Sequence, residues 1–535
     1  MDRIILRINN LKKTVKKSFF GKKLTGVKYS IYKKLNKTPA LETYSKNIWL
    51  KLITYTTRIA TLFFVLLRFY NVSLDFPYYI TITGAPLTDE GWYFSGVINK
   101  LTWGQWYLPG DFNPIVSLPL NNFIAYPILN LFDHPLIPLR VFTCILAIIT
   151  LLFVRKLARR FLSQITVDLF LLFLSIDFLF FSYSRIALLE VWVLSLCAIS
   201  SYFVLNPDKK RQSLQLFIGS FALLVALILK PQSFPLTIAL LYALLKNPER
   251  KTRKLTSVII VLTPILVYIS TFQILKIQFP EDHFLFYSIN LKERLITDFW
   301  RILINIPFLL INTHFSITPF ILPGIIGLLL GTILPLGKKQ RFLSRFFLLW
   351  FSAQFSLYCL FNYQPERYLL FLILPIYVGL SITIVTLLKL KGKLKIPGIA
   401  FAILMIIFQF KTSTSKIQKY FKTAEPSYVH FMQSVETILK NRHKDIKDAR
   451  VIGAFAHTVS LYAKFRAINT DLTTIPIDRK IKQYQPQYLI CFENEKWDFD
   501  KFTNRYRLKL LLTEPVMKNY YRSLPLSLYE LDPTE

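Results

Sequence analysis

The stretch that decides the fold is "VFTCILAIITLLFVRKLARR", Val141 to Arg160, in which an unbroken apolar run ends in a basic cluster. The same arrangement recurs along the chain, where apolar runs such as "FALLVALILK" alternate with short polar segments rich in lysine and arginine. Hydrophobic residues make up 53% of the 535 residues, more than a soluble protein could cover with polar atoms. The pattern predicts a polytopic α-helical membrane protein.

The chain is strongly basic, with a formal net charge of +35. In a soluble domain this charge would favour nucleic acid as a partner. Here the basic residues lie between apolar runs, where anionic lipid headgroups and the positive-inside rule account for them. We therefore expect membrane lipids, and no nucleic acid, among the partners.

The chain begins with a basic segment. Residues 1–51 carry fourteen lysines and arginines against Asp2 and Glu42, so residues 1–48 are predicted to be cytoplasmic. The "LKKTVKKSFF" stretch within it suits either a basic amphipathic helix on the membrane surface or a solvated tail.

The predicted topology depends on residues 115–132, an apolar run that prolines and asparagines interrupt. The run is short for a span of about 20 residues. If it crossed the membrane, the "RKLARR" cluster at Arg155–Arg160 would lie outside, against the positive-inside rule. We therefore assign it to an outer loop, as a helix pressed on the membrane surface.

All basic clusters then fall on the cytoplasmic side. The prediction is about eleven transmembrane helices, with the N-terminus inside and the C-terminus outside. The predicted spans are residues 49–70, 136–154, 165–183, 187–205, 214–229, 234–245, 255–275, 317–336, 346–361, 368–388 and 396–410.

Three regions follow from this topology: the segment 1–48, a transmembrane domain 49–411 with an outer loop 71–135, and a C-terminal extracytoplasmic domain 412–535. In the last of these, "ARVIGAF" and "PQYLICFE" are typical of short buried strands. "SYVHFMQSVETILKNR" is typical of an amphipathic helix. We expect a small α/β domain there.

A carboxylate pair follows the first span, in "PLTDEGWYFSGVINK", Pro86 to Lys100. Adjacent residues of a helix point about 100° apart, so Asp89 and Glu90 are predicted to have different roles. Thr88 or Asp89 could alternatively be the N-cap of a helix through "EGWYFSGVINKL". Both interpretations stay open, since a capping acid can also face a cavity.

Other charged residues stand at the predicted outer ends of spans. Glu190 opens an apolar span, where a charge is costly and often functional. A lone cation at such a position is more often a snorkelling anchor than a ligand, but several on one face suggest a shared site. They are Arg140, Arg185, Lys230 and Arg367, the last followed by Tyr368.

Carboxylates beside phosphate-binding cations at a membrane surface indicate one chemistry. A lipid-phosphate sugar could place its phosphate on arginine and lysine, whose donors suit it. A carboxylate could take the proton from an acceptor hydroxyl as its oxygen attacks the anomeric carbon. The acids could alternatively bind a divalent metal, although no His/Asp ligand spacing argues for one; no other cofactor is predicted.

The loop "DEGWYFSGVINKLTWGQWYLPGDFNP" resembles the first outer loop of the GT-C superfamily glycosyltransferases. The likeness is to the protein O-mannosyltransferases and the aminoarabinose transferases of lipid A. Their Asp-Glu, Tyr, Gly-x-Trp and Pro correspond to residues 89–90, Tyr93, 104–106 and Pro109. "SRIALLE", "LKPQSFPL" and "PERYLLFLILP" continue the resemblance, which covers roughly residues 49–390.

The resemblance implies an inverting transfer of a sugar from a polyprenyl phosphate to a protein, glycan or lipid acceptor on the extracytoplasmic face. It implies that Asp89 is the base, with Glu190 as a second functional acid and Glu90 a less certain neighbour. Arg185 and Arg367 would be on the phosphate side. The tail does not resemble the β-trefoil insert of the eukaryotic mannosyltransferases, which favours an enzyme of the bacterial inner membrane.

This sequence departs from the family at two points. The family often has Lys-Pro-Pro where this chain has Asn113-Pro114, so a phosphate-binding lysine is missing there, and Lys230 is a candidate to replace it. The second acid is commonly Asp and here is Glu.

Two rival functions stay open. A transporter or lipid flippase would place charged residues near the midplane in paired repeats, whereas these charges lie at span ends and no matching halves are evident. The other rival is an assembly factor for surface polysaccharide without its own catalysis.

Overall fold

The computed structural model of the chain describes residues 48–77, 85–205, 211–246, 254–282, 300, 318–334, 337–361, 365–470, 474–492, 502–503, 505–516 and 524–533. The basic N-terminal segment predicted at residues 1–48 lies outside the described residues, except for Ile48.

A described helix lies at each predicted span. In chain order, the helices are α1 (Ile48–Leu66), α2 (Ala85–Tyr93), α3 (Ser95–Thr102), α4 (Pro119–Leu131), α5 (Leu136–Phe161), α6 (Gln164–Ile176), α7 (Phe178–Tyr183), α8 (Leu189–Leu205), α9 (Gln212–Leu229), α10 (Pro235–Lys246), α11 (Lys254–Gln278), α12 (Thr318–Ile333), α13 (Lys338–Cys359), α14 (Leu370–Leu388), α15 (Lys395–Thr423), α16 (Ser427–Arg442), α17 (Ala456–Ala463) and α18 (Ile477–Tyr484).

Several of these helices are suited to a bilayer. Among the described residues, five helical segments are long and apolar enough to cross a membrane by length and composition. Shorter apolar helices, such as α6 and α8, lie beside them. The helical architecture is therefore confirmed, while the number of spans and their sidedness stay predictions.

One predicted span is broken. Residues 165–183 form two helices, because the backbone of Asp177 is extended (φ −55°, ψ 124°) and its Oδ1 accepts a hydrogen bond of 2.7 Å from the Phe180 amide. A side chain that caps the next helix competes with continuation of the previous one. The apolar pattern on both sides of Asp177 concealed this break.

The last predicted span is longer than expected. Helix α15 continues from Lys395 to Thr423, past the boundary predicted between residues 411 and 412. The transmembrane part is thus joined to the C-terminal part by one continuous helix.

Helix α4 has the features expected of a surface helix. It presents Phe123 and Leu131 to the exterior, 53% and 76% exposed. Its buried Asn122 donates a hydrogen bond of 3.1 Å to the Tyr93 carbonyl and accepts one of 2.9 Å from the Val97 amide. The asparagines that interrupt the apolar run therefore attach α4 to the loop that carries Asp89.

The C-terminal part contains a five-stranded sheet of order β2-β1-β3-β5-β4. The two predicted strands and the predicted helix α16 are confirmed. The antiparallel pair β4–β5 was missed, because the apolar alternation of edge strand β4 is weak and only its last residue, Val516, is buried. The strands are β1 (Arg450–Ile452), β2 (Arg466–Ile468), β3 (Tyr488–Phe492), β4 (Tyr506–Val516) and β5 (Leu524–Pro533).

This domain packs on the loop that follows α1. Buried Asp75 accepts hydrogen bonds from the Ser427 hydroxyl and, at 3.0 Å, from the Tyr428 amide, so it caps α16. Helix α17 packs against α2. The C-terminal domain therefore lies at the same end of the helices as Asp89 and Glu90.

Candidate functional site

Asp89 lies inside helix α2, one turn after its first residue, Ala85. The interpretation of Thr88 or Asp89 as an N-cap is therefore wrong, because the helix begins before both residues. Its side chain is buried, and Oδ2 is paired with Nη1 of Arg367. Arg367 comes from a 3-10 turn, Glu366–Leu369, that directly precedes helix α14.

Glu190 is the second residue of helix α8 and is fully buried. Its Oε1 is paired with the ammonium of Lys230 and lies 3.2 Å from Arg367 Nε. Its Oε2 has no hydrogen-bond partner among the described residues. One oxygen thus holds two cations, while the other remains an unused acceptor.

Lys230 reaches this position because helix α9 ends at it. The Lys230 backbone is extended (φ −159°, ψ 114°), and Pro231 opens the next turn. A proline has no amide hydrogen and cannot continue a helix. The "LKPQ" sequence therefore stops the helix where the lysine meets Glu190.

We call Asp89, Glu190, Lys230 and Arg367 the charged quartet. They come from four separate parts of the chain and form a buried, formally neutral set of two acids and two cations. Burial makes such a set expensive unless the charges are paired. The two acids therefore compensate the charge of the two buried cations.

Two tyrosine rings line the quartet. The Lys230 ammonium lies 5.1 Å from the Tyr93 ring centroid and 5.4 Å from that of Tyr368. Both distances suit a cation–π contact. Tyr93 and Tyr368, predicted as substrate-binding residues, thus lie at the same place as the quartet.

Burial and neighbouring cations have opposite effects on the pKa of Asp89. Burial raises the pKa of the Asp89 carboxyl, and the cations Arg367 and Lys230 act in the opposite direction. A carboxylate with a raised pKa is a better proton acceptor when it is ionised.

Glu90 has different partners from Asp89, as its position on the helix predicts. Arg140 holds it bidentately, with Nε 2.9 Å from Oε1 and Nη2 2.6 Å from Oε2. The Ala187 amide also donates to Oε1, at 2.7 Å. Arg140 in turn donates to the Val72 carbonyl at 3.0 Å. Glu90 and Arg140 are thus paired with each other, outside the quartet.

Arg185 also lies outside the quartet. Its guanidinium donates to the carbonyls of Arg68 and Tyr70 at 2.8 Å and of Asn71 at 2.7 Å. It lies 5.1 Å from the centroid of the Phe421 ring. These contacts hold the end of α1 against the turn that precedes α8.

A second buried charge cluster was not predicted. Lys480 Nζ lies 2.5 Å from Asp111 Oδ1, and His457 Nε2 lies 3.8 Å from Asp111 Oδ2, with all three side chains fully buried. Burial lowers the pKa of His457 to about 4. Asp111 belongs to the loop motif "PGDFNP", but nothing in the sequence connects it to a lysine far along the chain.

The described residues contain no group of three His, Cys, Asp or Glu that could hold a metal ion. In the quartet each acid is paired with a cation instead of converging with the other acid on one point. This geometry suits an anionic ligand.

A small apolar cleft lies beside the end of α9. One wall comes from the loop before α4, and the other from helices α9 and α11. Ile228, two residues before Lys230, is in its lining. The lining residues are Val116, Ser117, Pro119, Ile228, Tyr268, Thr271, Phe272 and Leu275.

Residues 114–274 match the family model of the dolichyl-phosphate-mannose-protein mannosyltransferases. This segment includes Arg140, Arg185, Glu190 and Lys230, while Asp89 and Arg367 lie outside it. No curated protein matches the chain.

The fold is similar to that of two solved membrane enzymes. The first is ArnT from Cupriavidus metallidurans bound to undecaprenyl phosphate, with a TM-score of 0.57 at 12% identity, covering 88% of this chain and 97% of ArnT. The second is the Archaeoglobus fulgidus oligosaccharyltransferase in its apo form, with a TM-score of 0.51 at 10% identity, covering 84% of this chain and 70% of that one. The family match over residues 114–274 and the shared fold confirm the resemblance predicted from the sequence.

Proposed function

We propose that this glycosyltransferase moves a sugar from a polyprenyl phosphate to an acceptor hydroxyl, with inversion and with Asp89 as the general base. The observation that carries the proposal is the charged quartet, in which a buried carboxylate adjoins two buried cations. The acceptor is a protein, glycan or lipid, and the site is extracytoplasmic.

The reaction is a single displacement. The acceptor oxygen forms a bond to the anomeric carbon while its proton passes to Asp89. The bond between that carbon and the phosphate oxygen breaks, and polyprenyl phosphate leaves. Attack from the face opposite the leaving group inverts the anomeric centre. General base assistance of this kind contributes about 10²–10⁴-fold to the rate.

Lys230 and Arg367 would bind the donor phosphate and stabilise the charge that it gains on departure. Glu190 contacts both cations and would hold them in place. The apolar side chains of the small cleft that includes Ile228 offer a surface for contact with the polyprenyl tail. The undecaprenyl phosphate bound to the Cupriavidus ArnT supports a donor of this class.

For the remaining predicted site residues, the contacts favour supporting roles. Glu90 and Arg140 form hydrogen bonds with each other and with backbone groups. Arg185 is committed to backbone carbonyls. We propose that these three residues hold the site together, and that Lys230 takes the place of the phosphate-binding lysine missing at Asn113.

The sidedness follows from the basic clusters. The basic cluster Arg155–Arg160 lies at the C-terminal end of α5. Arg140 lies near the other end of this helix, which is the end close to the quartet. If the positive-inside rule applies, the quartet and the C-terminal domain are extracytoplasmic and the N-terminus is cytoplasmic. A bacterial inner membrane is the location that we propose.

The test is Asp89→Asn in the full-length protein in membranes, supplied with a polyprenyl phosphate that carries a labelled sugar. We expect the loss of labelled product and of released polyprenyl phosphate, with normal membrane insertion. The control is Asp448→Asn, the same change at an exposed position of the C-terminal domain, and it should retain transfer.

Full transfer by Asp89→Asn would overturn the role of Asp89. The rival transporter is distinguished by the same assay, because a flippase moves the donor without breaking its sugar–phosphate bond. Sugar movement without released polyprenyl phosphate from the unmodified protein would support the transporter instead.

A further inference from the structure

The helix that carries Asp89 is held by the membrane helices on one side. Glu90 accepts from Arg140 and from the Ala187 amide. These partners belong to α5 and to the turn before α8. Asp89 pairs with Arg367, and the Tyr93 carbonyl at the end of α2 accepts a hydrogen bond of 3.1 Å from Asn122 of α4. All of these contacts hold α2 from one side.

The C-terminal domain holds the two residues that follow. Gly91 packs on the backbone at the start of α17: a methyl group at Gly91 would lie 2.5 Å from the His457 carbonyl carbon and the Thr458 Cα, closer than real Cβ contacts. The Trp92 indole donates a hydrogen bond of 3.2 Å to the Ala454 carbonyl. Every one of these partners is backbone, which cannot move aside as a flexible side chain can.

The domain is in turn fastened to the outer loop by buried polar contacts. Lys480 is paired with Asp111, and Asp75 caps the first helix of the domain at Tyr428. These contacts bury charge or cap a helix, and breaking either is costly. The surface on which Gly91 rests is therefore rigid relative to the loop.

We propose that the C-terminal domain is the positioning element for Asp89 and that Gly91 is the positioning residue through which it acts. The inference rests on the proposed function of Asp89. The membrane helices supply Lys230 and Arg367, whereas the C-terminal domain sets the angle at which α2 presents the base to the acceptor. The C-terminal domain would thereby affect the rate of the reaction.

The consequence is a separation of kcat from KM. A displacement of a reacting group by about 1 Å can lower a rate by about 100-fold. Gly91→Ala pushes α2 away from α17 but leaves the phosphate-binding cations on their own helices. We therefore expect kcat to fall about 10- to 100-fold, with a much smaller change in the KM for the donor, because Lys230 and Arg367 keep their contacts with Glu190.

The experiment measures kcat and donor KM for Gly91→Ala, Trp92→Phe and Gly331→Ala in the purified full-length protein. Trp92→Phe removes the hydrogen bond to Ala454 and keeps an aromatic ring, so kcat should fall about 2- to 10-fold. Gly331→Ala is the matched control, since its methyl would meet the Ser344 side chain between α12 and α13, neither of which carries a member of the quartet. Its kcat should remain at the wild-type value.

A wild-type kcat in folded Gly91→Ala would overturn the inference, as would an equal fall in the Gly331→Ala control. If Gly91→Ala does not fold, Trp92→Phe decides: a lower kcat at constant KM supports the inference, and a wild-type kcat overturns it. Full transfer by Asp89→Asn would instead overturn the proposed function, whatever Gly91→Ala does.

Discussion

At the scale of single residues, the charged quartet is stable only as a set. Glu190 is fully buried, and its Oε1 contacts both Lys230 and Arg367. Removing one member of a buried ion pair leaves an uncompensated charge, which typically costs about 3–5 kcal/mol. Replacing both members by neutral groups can cost much less.

We therefore predict that Lys230→Met lowers both the thermal stability and the affinity for the donor. The double variant Lys230→Met/Glu190→Gln should recover stability without recovering transfer, because the donor phosphate still lacks its lysine. Thermal unfolding in detergent and a transfer assay form the double-mutant cycle. Additive losses of stability in the double variant would contradict a coupled pair.

His457 gives a second prediction at this scale, on pH. Burial lowers its pKa from 6.5 to about 4 in the folded domain. The unfolded chain therefore binds a proton more readily between those values, so stability is fully present above pH 6.5 and is lost as the pH falls towards 4. A shift of this size corresponds to about 3 kcal/mol.

The measurement is the midpoint of thermal unfolding as a function of pH. We expect the wild-type midpoint to fall between pH 6.5 and 4, and His457→Gln to show a flatter curve over this range. Identical curves for the two proteins would show that other groups cause the acid sensitivity.

At the scale of elements, two glycines bring α12 and α14 into close contact. A methyl group at Gly379 would lie 2.7 Å from the carbonyl carbon of Gly324 and closer still to its oxygen. Small residues allow helix backbones to approach in this way in membranes. Helix α14 follows directly on the turn that carries Arg367, so this packing also bears on the quartet.

Gly379→Ala is therefore predicted to lower the thermal unfolding midpoint clearly, since a backbone atom cannot yield. Gly219→Ala should have a smaller effect, because its methyl would meet mainly side-chain atoms of Val204 and Phe203. The comparison is made by thermal unfolding of both variants in the same detergent. A larger loss in Gly219→Ala would contradict this view of the α12–α14 contact.

The sequence predicted these elements well where apolar runs are long, and less well where a single polar side chain determines a helix boundary. A described helix lies at each predicted apolar span, but Asp177 splits one of them with a side-chain cap. The first helix of the Asp89 loop begins at Ala85, ahead of the predicted cap, because no local signal marks its start.

At the scale of the whole molecule, the quartet and the C-terminal domain lie at the same ends of the helices. The four native cysteines are buried, so an introduced exposed cysteine will dominate labelling by a membrane-impermeant reagent. We predict that Asp448→Cys is labelled in intact cells and that Arg159→Cys is labelled only after permeabilisation. The opposite pattern would reverse the topology, and with it the proposed extracytoplasmic site.

By itself, the sequence determined whether each segment is suited to the lipid bilayer or to water. Long apolar runs and the positions of lysines and arginines predict helices, their order and their sidedness, because bilayer insertion responds to local composition. The same local information singled out Asp89, Glu190, Lys230 and Arg367, since a charge at the end of an apolar run is conspicuous.

Only the tertiary structure decided which charges meet. Asp89 pairs with Arg367 and Glu90 with Arg140, although the sequence gives the two acids the same surroundings. The separation of Arg140 and Arg185 from the quartet and the support that α17 gives to Gly91 depend on contacts between distant segments. Such contacts are set by how whole helices pack, and local composition carries no record of them.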